Sequence, residues 1–179
     1  MNHGRLKLNE QRVYAYVTIS NRGLVYDHLQ YKQGNLFDED VEALVNAVNC
    51  VGVMGGGIAL QFKDRFPENY HEYEAACEIN AATLGTMFVH ETNTRTNLKY
   101  IINFPTKDHW QNLSKLSDIE EGLKDLVNVI KQHNISSIAL PALGCGLGGL
   151  SWRVVRGVIE QTLKDLTDVR IVVFEPFKL

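Results

Sequence analysis

Eight of the chain's 14 glycines fall in two short windows, Gly52-Val53-Met54-Gly55-Gly56-Gly57 and Gly144-Cys145-Gly146-Leu147-Gly148-Gly149. Each follows a short apolar run, Ala43–Val48 or Ser136–Leu140, and precedes a segment of helical periodicity. Strand, glycine loop and helix, in that order and twice, restrict the chain to an α/β sheet. Both loops then lie at carboxyl ends of strands, where such sheets bind ligands. Glycine lets a backbone approach a ligand closely, and free N–H groups at a helix start favour an anion. Tight turns also need glycine, but two loops at matching positions point to a diphosphate held from both sides.

Two commoner glycine motifs are set aside. Gly52 and Gly57 have the P-loop spacing, but Ile58-Ala59 stands where Lys-Ser/Thr would grip a γ-phosphate and magnesium. Gly144, Gly146 and Gly149 satisfy G-x-G-x-x-G, yet a single further strand follows, which is too little for a dinucleotide-binding half. A hydride-transfer enzyme is not expected.

Arg12–Ser20 and Leu24–Gln33 are strand-like around Asn21-Arg22-Gly23, which predicts a hairpin that adds an antiparallel edge. Helices are predicted over Ile58–Phe66, Glu68–Ala76 and Trp152–Leu166, and strands over Thr86–Glu91, Lys99–Phe104 and Val169–Phe174. Ser117-Asp118-Ile119-Glu120 has the form of a capping box. Behind it Ile119, Leu123, Leu126, Val127 and Ile130 make one apolar helix face. Strands alternating with helices predict a mixed, largely parallel sheet covered on both faces.

The 179 residues suit one domain, and a formal net charge of −3 carries no basic excess that would grip a nucleic-acid backbone. That charge leaves room for a protein that holds one nucleotide or one strand end. Cys50, Cys77 and Cys145, and the acidic and histidine residues, lack metal-ligand spacing. A reduced, cytoplasmic, metal-free protein without a cofactor is expected. The start of the chain has no apolar run of the signal-peptide kind, and no stretch is long enough to span a bilayer, so no membrane partner is expected. Cys145, between two glycines, is read as a small turn residue and not as a nucleophile.

Gly34-Asn35-Leu36-Phe37, then Ala43-Leu44-Val45-Asn46-Ala47-Val48-Asn49 and the first glycine loop, resemble the opening of macro domains. Pro141-Ala142-Leu143-Gly144-Cys145-Gly146 resembles their second loop. The resemblance runs from about Gly34 to Pro176. It implies a three-layer α/β/α macro domain over 34–179, with residues 1–33 as an edge hairpin packed on the same domain. Within the family, Val51-Gly52-Val53-Met54-Gly55, Ile58–Lys63 and Asn103–Trp110 look most like the DNA ADP-ribosyl glycohydrolase antitoxins, related to the terminal ADP-ribose protein glycohydrolases. Those antitoxins remove ADP-ribose from thymidine in DNA. Two positions depart from relatives: Gly56 stands where the antitoxins carry a lysine, and Gly148 where protein-directed relatives carry an acid.

The resemblance assigns roles residue by residue. Lys107 aligns with the lysine that the glycohydrolases use, and its amine would act at the anomeric carbon of the distal ribose. Thr106 precedes it. Asn49 would position that ribose through its amide, or cap the loop as a turn residue, while Asn46 would hold the loop backbone. Asn35 stands where many macro domains have an aspartate that contacts the adenine amino group, with Leu36 beside it. Met54, Gly55, Gly56, Gly57 and Ile58 would contact the ligand from the first loop. Leu143, Gly144, Cys145, Gly146, Leu147 and Gly148 would do so from the second. Phe174 and Pro176 would wall the adenine, although Phe174 reads equally as core. His109 and Trp110 would stack a base or line the outer cleft, and His71 reads as a surface residue. The implied partners are ADP-ribose or an ADP-ribosylated macromolecule, single-stranded DNA among them, and a cognate toxin. A monomer is expected. Binding without catalysis, and hydrolysis of O-acetyl-ADP-ribose, are the alternatives.

Overall fold

The computed structural model describes residues 17–20 and 23–176. Strands β1 (Val17–Ser20) and β2 (Gly23–Tyr26) pair antiparallel as a two-stranded sheet of their own. The turn residues Asn21 and Arg22, and the predicted strand start at Arg12–Tyr16, lie outside the described residues. The chain continues as β3 (Leu29–Lys32), β4 (Ala43–Asn49), α1 (Gly57–Arg65), α2 (Pro67–Glu78), β5 (Phe88–Glu91) and β6 (Tyr100–Lys107). It ends with α3 (Leu116–Gln132), β7 (Ser137–Pro141), α4 (Trp152–Leu163) and β8 (Arg170–Phe174). The main sheet has the order β3-β8-β7-β4-β6-β5, parallel except for β5.

The antiparallel edge expected from the N-terminal hairpin is not what forms. The predicted second strand breaks at Asp27-His28, where the His28 Nε2 meets the Leu163 carbonyl at 3.1 Å. Past that anchor, β3 joins β8 in parallel, and the antiparallel strand is β5 at the opposite edge.

Alternation along the buried strands builds the layers. Val45, Ile102, Phe104, Ile138, Leu140, Ile171 and Val173 point to α3 and α4, whose Ile119, Leu123, Leu126, Val155 and Ile159 complete that core. Leu44, Ile101, Ala139 and Val172 point the other way, toward Phe62 of α1. Strands buried on both faces therefore read as continuous apolar runs, and the result is a three-layer α/β/α domain. Each fully buried leucine or isoleucine contributes about 1.5–3 kcal/mol relative to exposure. Helix α3 starts at Leu116 with Lys115 at its cap, and the predicted capping box does not form; the Ser117 hydroxyl turns to Asp118 instead. Leu116 packs against the core, and the helix starts two residues earlier than a cap at Ser117 would place it. Among the described residues no helix is long and apolar enough to cross a membrane.

At the amino ends of the central strands, Glu42 ties three of them together. Its carboxylate accepts from the Ser136 N–H (2.7 Å), the Ser136 hydroxyl (2.8 Å) and the Lys99 ammonium (2.5 Å). Its carbonyl accepts from the N–H groups of Lys99 and Tyr100. The Lys99 contact and the Ser136 donors hold its pKa down at about 2. A depressed carboxylate pKa stabilises the fold above the unfolded value near 4.5 and loses that contribution as pH falls through the folded value. Glu42→Gln should therefore cost about 1–2 kcal/mol at neutral pH, discounted because Lys99 is largely exposed. The gap between wild type and variant should close as pH drops from 5 to 2, measured by urea unfolding across that range. A gap that stays constant would contradict the role given to Glu42.

Candidate functional site

The ladder between β4 and β7 stops at Leu44 and Ala139. Beyond it the two strands are unpaired toward each other, and a cleft of about 1030 Å³ opens between the loops that follow them. This is the crevice at strand carboxyl ends expected of an open α/β sheet.

A bulge sets the floor of the cleft. Val48 pairs with Pro105 but Asn49 pairs with Lys107, so Thr106 is the extra residue. Its hydroxyl donates to the Val48 carbonyl at 3.2 Å, and the Cys50 N–H reaches the carbonyls of both Lys107 and Asp108. Bulges re-aim side chains beside functional sites. Here the bulge puts Lys107 and Asn49 side by side, both lining the cleft and both nearly buried, at 8% and 7% exposure.

Asn49 holds the first glycine loop. Its Oδ1 accepts from the N–H groups of Val51 (3.2 Å) and Val53 (3.3 Å), and its Nδ2 donates to the Val53 carbonyl at 2.7 Å. Both acceptor positions are taken, and one N–H remains. The loop-holding role expected of Asn46 thus falls to Asn49. Asn46 is fully buried, donating to Asn103 Oδ1 (2.9 Å) and touching the Met54 sulfur, while Asn103 donates to Asn69. This asparagine chain pins β4, β6 and α2 under the loop.

The loop ends at Gly56, which is extended and opens α1 without a side-chain cap. Among the described residues, no hydrogen bond occupies the N–H groups of Gly55, Gly56, Gly57 and Ile58, nor those of Gly146, Leu147 and Gly148. Both sets belong to cleft-lining residues and are available to an anion. The Lys107 ammonium donates to the Leu147 carbonyl at 2.9 Å and lies 3.5 Å from the Trp110 carbonyl. Among the described residues it makes no ion pair.

Residues 45–159 match the macro domain family. The chain belongs to it. This macro domain is similar to the DNA ADP-ribosyl glycohydrolase of Mycobacterium tuberculosis, 51% identical over 83% of the chain and 42% of that relative. The chain thus spans less than half the length of that curated relative. Among solved structures it is similar to the macrodomain of Mycobacterium tuberculosis DarG, with TM-score 0.82 and 50% identity over 83% of this chain and 98% of that one. It is also similar to Thermosipho africanus DarTG in complex with ADP-ribose, with TM-score 0.80 and 33% identity over 84% of this chain and 42% of that one.

Of the residues singled out from sequence, the macro domain brings Asn35, Leu36, Gly55, Gly56, Gly57, Ile58 and Thr106 to the cleft with Asn49 and Lys107. Gly144, Gly146, Leu147, Gly148, Phe174 and Pro176 line it too. Asn46, Met54, Leu143 and Cys145 do not: the first three are buried behind the loops, and the Cys145 thiol turns to the Leu143 carbonyl. Burial pushes that thiol up to about 11, which suits an inert turn residue. Phe174 is both core and cleft wall. Asn35 is less free than expected, since its Oδ1 accepts from the Phe37 N–H and its Nδ2 donates to Asp38. Gln61 and Arg65 line the cleft and were not anticipated. Their spacing from Ile58 puts all three on one helix face, and that pattern was there to be read.

The two departures at glycine differ physically. A Cβ at Gly56 would meet only Leu147 Cδ1, at 3.5 Å, so a side chain fits there. A Cβ at Gly148 would sit 2.3 Å from Ser114 Oγ and 2.4 Å from the Gly144 carbonyl oxygen. No acid fits at 148 without displacing the loop, which the Ser114 N–H also fastens through the Gly148 carbonyl at 3.0 Å. Gly148→Ala should therefore destabilise the protein by about 2 kcal/mol. Gly146→Ala, with nothing within 4 Å, should stay within about 0.5 kcal/mol of wild type. Guanidinium unfolding of the two variants makes the comparison, and a Gly148→Ala protein as stable as Gly146→Ala would refute this loop geometry.

Proposed function

We propose that this macro domain binds ADP-ribose and hydrolyses a terminal ADP-ribosyl bond, and that its substrate is thymidine-linked ADP-ribose on single-stranded DNA. The observation that carries this is the bulge-aligned pair Asn49 and Lys107 beneath two loops of unpaired N–H groups. Similarity to DNA ADP-ribosyl glycohydrolases supports the same activity. The diphosphate lies between Gly55–Ile58 and Gly144–Gly148. Adenine lies against Leu36, Phe174 and Pro176, and the distal ribose lies over Asn49 and Lys107. Such a substrate must first be made, so a DNA-modifying ADP-ribosyl transferase, the cognate toxin, is the proposed partner of a monomer.

Asn49 works as a positioning residue, holding the first loop and turning its remaining N–H toward the ribose. The Lys107 amine attacks the anomeric carbon. A carbon–Nζ bond forms as the bond to the base breaks, and the alkylated Nζ passes a proton to the departing base. Water then attacks the same carbon and gives its proton to Nζ, which leaves as the free amine, and ADP-ribose is freed.

Binding without turnover is favoured by one observation: the Lys107 amine already serves the second loop through the Leu147 carbonyl. Substitution separates the two. Lys107→Ala should lower turnover on ADP-ribosylated thymidine oligonucleotide at least about a hundredfold, or roughly 2.7 kcal/mol of transition-state stabilisation. ADP-ribose affinity should change less than about tenfold, because the loops supply most ground-state contacts. Lys107→Arg should be nearly as inactive, since a guanidinium keeps the charge without becoming a neutral nucleophile. Chromatographic assay of released ADP-ribose, run in parallel on modified protein and O-acetyl-ADP-ribose, makes the measurement. Full activity of Lys107→Ala would remove the lysine from the mechanism.

A further inference from the structure

Backbone N–H groups grip a diphosphate without reading what is joined to it, so the two loops alone would hold any nucleoside diphosphate sugar. Selection among bases falls to the far end of the cleft, where Asn35, Leu36, Phe174 and Pro176 line it with Glu175 and Arg65. Apolar walls discriminate weakly between rings of one shape, whereas a site that hydrogen-bonds a ring substituent rejects the analogue lacking it. Adenine offers an amino group, and an acceptor must meet it. Arg65 only donates, and its guanidinium lies over the Phe37 ring, 4.2 Å from the centroid. Gln61 stands one turn into α1, nearer the loops. Glu175 Oε1 already serves Trp152 Nε1 (3.3 Å) and Arg156 Nη1 (3.0 Å) of α4. Asn35 remains.

An amide accepts on one atom and donates on the other, so its orientation decides which base it favours. Asn35 caps the turn Leu36–Asp38, where its Oδ1 accepts from the Phe37 N–H at 3.3 Å and its Nδ2 donates to Asp38 Oδ1 at 2.8 Å. Exchanging the two atoms would set an oxygen against the Asp38 carboxylate and an N–H against an N–H. Asp38 is brought back to Asn35 by its own N–H, which donates to the Asn35 carbonyl at 3.1 Å. Glu39 then clamps the turn, its carboxylate meeting Lys32 at 2.8 Å and Arg170 at 2.7 Å. Among the described residues Asp38 makes no ion pair, so no cation offsets its hold on the amide. A charge-assisted bond of this kind is about twice as strong as a neutral one.

We propose that Asp38 is a positioning residue for base selection. It holds the Asn35 amide with its oxygen toward the adenine amino group, and so makes the cleft select adenine over purines that carry a carbonyl there. The proposal rests on the ADP-ribose reading above, which puts adenine against Leu36, Phe174 and Pro176. The Asn35 oxygen has a second lone pair beyond the one given to Phe37, and the amino group takes it. A hypoxanthine or guanine ring would set its carbonyl oxygen against that oxygen and leave both without a donor. Asp38 acts only through Asn35: it lines a neighbouring hollow of about 530 Å³ that shares Asn35 with the cleft, and not the cleft itself.

Calorimetric titration with ADP-ribose and with inosine diphosphate ribose, which has a carbonyl in place of the amino group, tests this. The wild-type protein should bind ADP-ribose at least about tenfold tighter. Asp38→Asn meets Asn35 equally well in either amide orientation, so it should cut that preference at least about threefold, weakening ADP-ribose and favouring the inosine compound. Moving the charge across the pair, with Asn35→Asp and Asp38→Asn together, should restore the preference. A merely structural role would weaken both ligands alike, and such a matched loss would overturn the proposal. So would a preference that survives Asp38→Asn, and its loss in Glu175→Gln instead would hand selection to Glu175. Wild-type protein that binds both ligands equally would overturn base selection and spare the ADP-ribose reading. Binding of neither at millimolar concentration would overturn both.

Discussion

Thr106 is inserted between the partners of Val48 and Asn49, and that one extra residue in β6 brings Lys107 level with Asn49. In a regular ladder Asn49 would face Thr106, and Lys107 would stand one position beyond, past the end of β4. The bulge is fixed by the Thr106 hydroxyl on the Val48 carbonyl and by the Cys50 N–H, which reaches two carbonyls of the displaced strand. Lys107 then meets the second loop through the Leu147 carbonyl, while Asn49 grips the first through Val51 and Val53. Both walls of the cleft hang from this irregularity.

The main stabilising knot and the candidate site sit at opposite ends of the sheet. At the amino ends Glu42 knots β7, β4 and β6 together with charge-assisted hydrogen bonds. At the carboxyl ends β4 and β7 part after Leu44 and Ala139, and backbone donors are left for a ligand. The buried asparagines Asn46, Asn103 and Asn69 lie beneath the first loop, and Asn46 Oδ1 is buried without a partner among the described residues. Such an arrangement costs stability that an apolar core would not give up. What it secures is one fixed seat for the loop.

The strands and helices were legible because both sheet faces are buried, so the central strands stand out as apolar runs bounded by glycine. Both loops were legible for the same reason, since each follows directly from a strand end, whereas Lys107 was singled out by the family resemblance alone. The parallel edge was not, because β3 is placed by His28 reaching Leu163, a contact 135 residues away. The capping motif at Ser117 misled because Leu116 found a buried site. The loop-holding expected of Asn46 fell to Asn49, because strand alternation turns Asn46 toward the buried Asn103, whereas Asn49 stands where the chain leaves the sheet. Local pattern names the polar residues, and tertiary contacts decide which backbone groups they serve.

The backbone N–H groups of two glycine loops, suspended from the β6 bulge, are proposed to hold the diphosphate of ADP-ribose. Amide nitrogen–proton spectra recorded during an ADP-ribose titration test this most directly. The largest shifts should fall on Gly55, Gly56, Gly57 and Ile58 and on Gly146, Leu147 and Gly148, saturating at a micromolar Kd, about −8 kcal/mol. Shifts concentrated elsewhere on the protein, or none up to millimolar ligand, would contradict it.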